Sequence, residues 1–363
     1  MMQEPDRSGP LTGLRIVEFA GIGPGPHCAM LLSDMGADVL RIVRPGGGQL
    51  AANPVTERGR ATLTLDLRDA KHVARVLQIV SRADVVIEGY RPGVMERLGL
   101  GPEEVFAVNP RIIYGRMTGW GQNGPLALRA GHDLTYIAVT GVLAALGRPG
   151  ERAVPPMNLV GDFGGGSMFL AMGILAALWE RERSGRGQIV DAAIVDGVAA
   201  LLAGAAGHLP RGDLSFERGH NLLVDASNYN RTYLCKDGRE LAVAAIEPQF
   251  YRTLLECIGA PESWLEDQYE PSVWPQRSAA MAAIFLTRTR DEWAVIMEDC
   301  DACTAPVLEF DEARTHPHIA ARNGYLLHEG IVQQAPAPRF SRTPGAIAPD
   351  EPGEAMLNRW GLG

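Results

Sequence analysis

Cysteine is scarce in this chain, and what there is does not cluster. Cys28, Cys235, Cys257, Cys300 and Cys303 are the only five in 363 residues, an odd, scattered set that argues against a disulfide framework. Cys300 and Cys303 form a CxxC, but no second pair and no HxxxH faces it. A zinc site is therefore incomplete, and no metal is expected. An excess of positive charge is missing too. Thirty-four Lys and Arg stand against 43 Asp and Glu, a net charge of −9, with no basic footprint for a nucleic-acid partner. Long apolar runs are lacking: MFLAMGILAALW (Met168–Trp179) and VAALLAGAAG (Val198–Gly207) are short for a bilayer span and read as buried helices. The opening MMQEPDRSGP has no apolar signal-peptide core. A cytoplasmic protein without a membrane partner is expected. A GxSxG elbow and a Walker loop are both absent, so neither serine hydrolase nor P-loop chemistry is suggested.

What is present is a globular mixture, 46% hydrophobic and 21% charged, over a length that suits two domains or one enlarged α/β unit. LRIVEFA (Leu14–Ala20) reads as a buried strand. GIGPGP and the helical run HCAMLLSDMGA follow it, then a second strand, ADVLRIV. ATLTLDL, the helix KHVARVLQIVSRA, DVVIEGY (Asp84–Tyr90) and RIIYGRMTGW (Arg111–Trp120) continue the alternation, which predicts α/β with a largely parallel sheet. SMFLAMGILAALWERERSG is a long apolar helix with a charged end, and GQIVDAAIVDGVAALLAG is a strand then a helix. A large domain is assigned to residues 1–205 and an irregular linker to 206–228. A smaller α/β domain takes 229–329, opening with a hairpin turned at Asp237–Gly238. A Pro-rich tail takes 330–363.

GIGPGP is half of a dinucleotide fingerprint, but the second strand ends RIVRP instead of in an acid. Arg41 and Arg44 stand there, and guanidinium groups suit a phosphate on a ribose, as in NADP or coenzyme A. Arg68, Arg91 and Arg97 occur at other strand ends. Together they suggest a polyphosphate groove, although each alone also reads as a solvated loop arginine. Polar groups in apolar surroundings supply a second set. His132 and Asp133 follow Gly131, immediately before TYIAVTG. Asp162 lies in GDFGGGS ahead of an apolar helix, where it is either functional or an N-cap. Glu247 ends an apolar strand before Pro248, either functional or a first-turn acid. An imidazole with carboxylates beside a phosphate groove suits proton transfer or acyl transfer on a thioester.

The segments GLRIVEFAGIGPGPHCAMLLSDMGADVLRI, IEGYRPGVMERLGLG, RMTGWGQNGP, AGHDLTYIAVTG, PPMNLVGDFGGGSMF, GQIVDAAIVDG, AAIEPQFY and APRFSRTP resemble the family III CoA-transferase superfamily. Within it they closely resemble the α-methylacyl-CoA racemases, from about Leu11 to Pro344. The resemblance implies an interlocked homodimer, with a large Rossmann-like CoA-binding domain completed by the C-terminal tail and a smaller domain between. It implies His132 and Asp162 as the two acid/bases, with Glu247 from the partner chain orienting His132. Arg44, Arg68, Arg91 and Arg97 match CoA-contacting positions, as do Leu65, Asp66, Leu67, Gly89, Tyr90, Gly131, Asp133 and Tyr136. Gly131 would let the backbone approach the thioester. Racemases of this kind carry a GGAP-like turn ahead of the small-domain strand, where this chain has LLVDASNYNRTY, a departure that bears on the acyl pocket.

The implied reaction interconverts (R)- and (S)-2-methylacyl-CoA, a step of fatty acid metabolism, by removing the α-proton on one face and returning one on the other. CoA is part of the substrate and no separate cofactor is implied. Backbone N–H groups near Asp162 would hold the enolate oxygen. The main alternative is a true CoA-transferase, in which Asp162 is the nucleophile of an acyl-aspartyl anhydride. An NADP-dependent reductase would need a nicotinamide site and the rest of the fingerprint. A non-catalytic CoA-binding protein would leave three acid–base candidates unused.

Overall fold

Six short strands rich in Val, Ile and Leu build the centre of a parallel sheet. They are β1 (Arg15–Phe19), β2 (Asp38–Val43), β3 (Ala61–Thr64), β4 (Val85–Glu88), β5 (Ile113–Thr118) and β6 (Gln188–Ala193). The structure is a computed structural model that describes residues 8–46, 53–212 and 214–363. The polar start of MMQEPDRSGP and Asp213 of the expected linker lie outside the described residues. The strands run in the order β3-β2-β1-β4-β5-β6, each parallel to its neighbours. All four residues of β4 are buried, as expected of strands covered on both faces. The helix Pro24–Asp34 begins inside GIGPGP, with proline in its first turn, where a missing N–H costs nothing. The helix Ala70–Val80 is capped by Asp69, whose carboxylate accepts the Lys71 N–H at 2.8 Å. Its Val76, Ile79 and Val80 join Val17, Leu40, Val86 and Tyr114 in one core.

The long apolar helix departs from expectation at its start. Leu159–Ser167 is π-helical and runs directly into Met168–Ser184. Asp162 is therefore inside a helical turn and not an N-cap. The fusion also corrects the length expected of the apolar run. Leu159–Ser184 spans 26 residues and contains an 18-residue window of mean hydropathy 1.5, long and apolar enough by length and composition alone to cross a membrane. A core helix passes the same test. This one buries Leu170, Ala171, Ile174 and Ala177 and packs on β5 and β6.

Two compact units divide the chain. One comprises Met1–Thr140, Pro156–Leu202 and Leu326–Gly363; the other comprises Gly141–Pro155 and Ala203–Tyr325. The second is built on an antiparallel sheet of β7 (Asn230–Leu234), β8 (Glu240–Ala244) and β9 (Thr304–Pro306). Gly238 takes the positive φ of +76° that the predicted turn between β7 and β8 requires. Helices Pro248–Ile258, Trp274–Phe285 and Arg290–Met297 cover Tyr229, Tyr233, Leu241, Val243 and Phe285.

These units draw the boundaries differently from the sequence reading. Residues 206–228 belong to the second unit and are not a free linker. Asn221, Ser227 and Asn228 are buried, and the Asn228 amide donates to the Tyr251 hydroxyl at 2.8 Å. Residues 141–155 join the same unit: Arg218 donates to the carbonyls of Ala144 and Glu151, and Arg148 pairs with Asp225 at 2.8 Å.

The tail opens with a hairpin, β10 (Tyr325–His328) and β11 (Ile331–Gln334). It then adds β12 (Glu351–Pro352) in parallel to β3, completing a seven-stranded sheet. Asp350 accepts the N–H groups of Gly59 and Arg60 at 2.7 and 3.2 Å. Met356, Leu357 and Trp360 then enter the large core.

Candidate active site

The strand order reverses between β1 and β4, the place where an open α/β sheet leaves a crevice beyond its carboxyl ends. A cleft of about 540 Å³ opens there, walled by Gly21–Pro26 after β1, Glu88–Pro92 at β4, Met117–Trp120 at β5, and Arg129–His132, Tyr136, Asn158 and Asp162. His132 is extended, at φ −139° and ψ 171°, just before the helix Asp133–Val139. Its N–H donates to Thr135 Oγ1 at 3.0 Å, and its carbonyl accepts the Thr135 hydroxyl at 2.7 Å. The backbone is fixed while the residue stays exposed.

Asp162 is placed by the residue next to His132. The carboxylate of Asp133, a residue only 8% exposed, accepts the Asp162 N–H at 2.7 Å. One buried carboxylate thus sets the two candidate acid/bases relative to each other. Gly161 makes room for it, since a Cβ there would overlap Asp133 Oδ1. Burial raises the pKa of Asp162, and the negative charge of Asp133 raises it further. A hydrogen bond with the Asn158 side chain and the charge of His132 oppose the rise. Asp162 therefore keeps its proton to higher pH than an ordinary carboxyl. Two expectations change here. The Asp162 N–H is committed to Asp133 and is not free to hold an enolate oxygen. Gly131 is required by the Tyr136 ring, which a Cβ would meet at 2.5 Å, whatever else approaches it.

A second cleft of about 420 Å³ is walled by Arg44, Pro45, Gly46, Asp66, Leu67, Arg68, Tyr90 and Leu98. Tyr90 borders both clefts. Arg68 folds onto Asp66 with bonds of 3.0 and 3.1 Å, which hold the Asp66 carboxyl below its usual range. Below the turn, buried Glu88 accepts the Tyr90 N–H at 2.7 Å and Arg116 Nε at 2.9 Å, and burial pushes its carboxyl up to about 7. Arg41 is committed to Glu57 at 2.6 Å and walls neither cleft.

The structure thus brings Gly89, Tyr90, Arg91, Gly131, His132, Tyr136 and Asp162 to one cleft, and Arg44, Asp66, Leu67, Arg68 and Tyr90 to the other. Leu65 is buried in the core, and Arg97 ends the short helix Val94–Arg97; neither walls a cleft. Glu247 belongs to the second unit, exposed at the N-cap of Pro248–Ile258 and not within its first turn. Sequence reasoning missed Trp120, Arg129 and Asn158. Asn158 alone carried a signal, standing four residues before Asp162 in NLVGD. Among the described residues no three His, Cys, Asp or Glu side chains gather as a metal site, and all five cysteines are free.

The chain is 42% identical over 335 residues to the α-methylacyl-CoA racemase of Mus musculus, covering 92% of this chain and 87% of that protein. It is 40% identical to that of Homo sapiens over the same shares. The crystal structure of a CAIB/BAIF family protein from Brucella suis superposes with a TM-score of 0.80 at 26% identity, covering 97% of this chain and all of that one. Residues 11–355 match the family described as CoA-transferase family III, and the chain belongs to that family.

Proposed function

We propose that the protein is an α-methylacyl-CoA racemase, an isomerase that interconverts (R)- and (S)-2-methylacyl-CoA. One observation carries the reading: two acid–base groups of different type, His132 and Asp162, border one cleft and are tied in register through Asp133. The likeness to the mouse and human racemases supports it. A neutral His132 takes the α-proton from one enantiomer; the C–H electron pair passes into the thioester as an enolate. Asp162, whose raised pKa keeps a proton available, delivers its proton to the opposite face. In the reverse direction the ionised Asp162 takes the proton and the imidazolium returns one. A single enantiomer of 2-methylacyl-CoA should lose its optical purity on incubation, read by chiral chromatography. Retained purity with CoA passing to an added carboxylic acid would instead mark the transferase reaction, with Asp162 as nucleophile.

Arg44 and Arg68, with Asp66, Leu67 and Tyr90, are suited to the phosphates of CoA, and Arg91 to the part of the thioester nearer the reacting carbon. CoA enters as substrate, and no other cofactor is invoked. Arg44→Ala and Arg91→Ala should each weaken CoA-ester binding by about 1.5–3 kcal/mol, the worth of a charge-assisted contact. Calorimetry showing unchanged affinity in both variants removes this assignment.

The site is proposed to be completed in an interlocked homodimer, with Glu247 of the second chain orienting His132. Met168, Met172 and Trp179, exposed by 52, 59 and 70% along one apolar helix, form the kind of surface a second chain covers. Sedimentation should show a dimer at micromolar concentration; an active monomer contradicts it. We take the enzyme to be cytoplasmic and to serve fatty acid metabolism.

Asp133→Asn tests the electrostatics. It removes the charge that helps raise the Asp162 pKa. Proton abstraction by Asp162, which falls as pH drops through that pKa, should then persist to lower pH. An unmoved acid limb in the exchange–pH profile counts against the coupling.

A further inference from the structure

A π-helical turn is rare and is found frequently at functional sites. Besides the Asp133 bond to the Asp162 N–H, the turn that carries Asp162 is held by a side chain outside the cleft. His27, on the helix Pro24–Asp34, stacks its ring on Phe163 with centroids 4.3 Å apart and planes inclined by 25°. Its Nδ1 lies 2.7 Å from the hydroxyl of Ser167, which is fully buried. The imidazole thus touches the residue that follows Asp162 and the last residue of the turn. Gly23, at the start of the same helix, comes so close that a Cβ there would stand 3.2 Å from Asp162 Oδ2. The helix therefore backs the carboxylate at its N-terminal end and clamps its turn one helical turn further on.

We propose that His27 is a positioning residue for Asp162, acting through Ser167 and Phe163 to fix the direction from which the Asp162 carboxylate meets the α-carbon. The proposal rests on the racemase reading. Burial, reinforced by Arg60 and Arg58, lowers the His27 pKa to about 4, so the ring is neutral near neutral pH. Its Nδ1 accepts the Ser167 O–H in the tautomer protonated at Nε2. His27 does not wall the cleft and exchanges no proton with substrate.

The test separates the two faces of the substrate. His27→Phe keeps a stacking ring and removes the acceptor; His27→Asn keeps an acceptor at the position of Nδ1; Ser167→Ala removes the donor with little change in volume. In D₂O, His27→Phe and Ser167→Ala should lower α-proton exchange of the enantiomer deprotonated by Asp162 by roughly tenfold. Exchange at the His132 face and the affinity for the CoA ester should stay within about twofold. His27→Asn should recover most of the loss. Equal losses at both faces, or none, overturn the proposal. If the wild type itself exchanges no α-proton, the racemase reading fails, and amide hydrogen exchange decides the clamp separately. Faster exchange across residues 159–167 in His27→Phe, restored in His27→Asn, supports it; unchanged exchange overturns it.

Discussion

With His132 replaced by Ala, racemisation of 2-methylacyl-CoA should fall by about 10²–10⁴-fold, the usual worth of a positioned acid or base. Yet one enantiomer should continue to exchange its α-proton in D₂O, because the Asp162 side of the cleft is intact. Asp162→Ala should lower racemisation to a similar extent and leave exchange of the other enantiomer. Opposite preferences follow from the geometry: the groups come from different segments, His132 from the loop before a helix and Asp162 from a π-helical turn. If both variants lose exchange of both enantiomers equally, the two groups act as one and the assignment to faces is wrong. Loss of CoA transfer in Asp162→Ala, with exchange absent from the wild type, would make Asp162 a nucleophile and His132 a structural histidine.

The largest expected loss of stability lies beneath the site. Arg60 and Glu18 form an ion pair at 3.1 Å in which both side chains are 1% exposed. The same guanidinium donates to the carbonyl of Arg58 at 2.7 Å and to that of Pro26. It thus joins β1, the start of the helix that carries His27, and the segment leading into β3. Arg60→Met should cost about 3–5 kcal/mol, because one buried charge is left without its partner. The sign of the pH dependence is fixed. Burial raises the Glu18 pKa above its ordinary 4.5, and Arg60 is the leading influence against that rise. Without Arg60, folded Glu18 binds a proton that unfolded Glu18 releases above about pH 4.5. Stability should therefore decline as pH rises through the window between the two values. Urea unfolding should show a deficit larger at pH 8 than at pH 5, partly restored by adding Glu18→Gln. A loss below about 1 kcal/mol, the scale of an exposed pair, contradicts this account.

The central sheet was legible because strands such as RIVEF and VVIE are short apolar runs between turns and amphipathic helices. Their order places the cleft without any knowledge of ligands. His132 and Asp162 were legible as polar groups beside glycines in apolar surroundings. The conformation of Asp162 was not: GDFGGGS has the pattern of a helix start, and nothing in it marks the rare π turn. Nothing local distinguishes a glycine needed for Tyr136 from one needed for a ligand, so the Tyr136 contact of Gly131 was not legible. Residues 141–155 and 206–228 were misassigned because Arg218 and Arg148 bond across long sequence separations. β12 is two residues long in a Pro-rich tail and has no periodicity to read. His27 escaped notice because its partners, Phe163 and Ser167, lie far along the chain.

The most direct measurement follows the α-proton itself. The wild-type protein, given each pure enantiomer of a 2-methylacyl-CoA in D₂O, is monitored by proton NMR and chiral chromatography, with a free carboxylic acid present as a possible CoA acceptor. The account predicts deuterium at the α-carbon, convergence of both enantiomers to the same mixture, and no dependence on the acceptor. CoA transfer to the acceptor, with the α-proton and the optical purity retained, would contradict it.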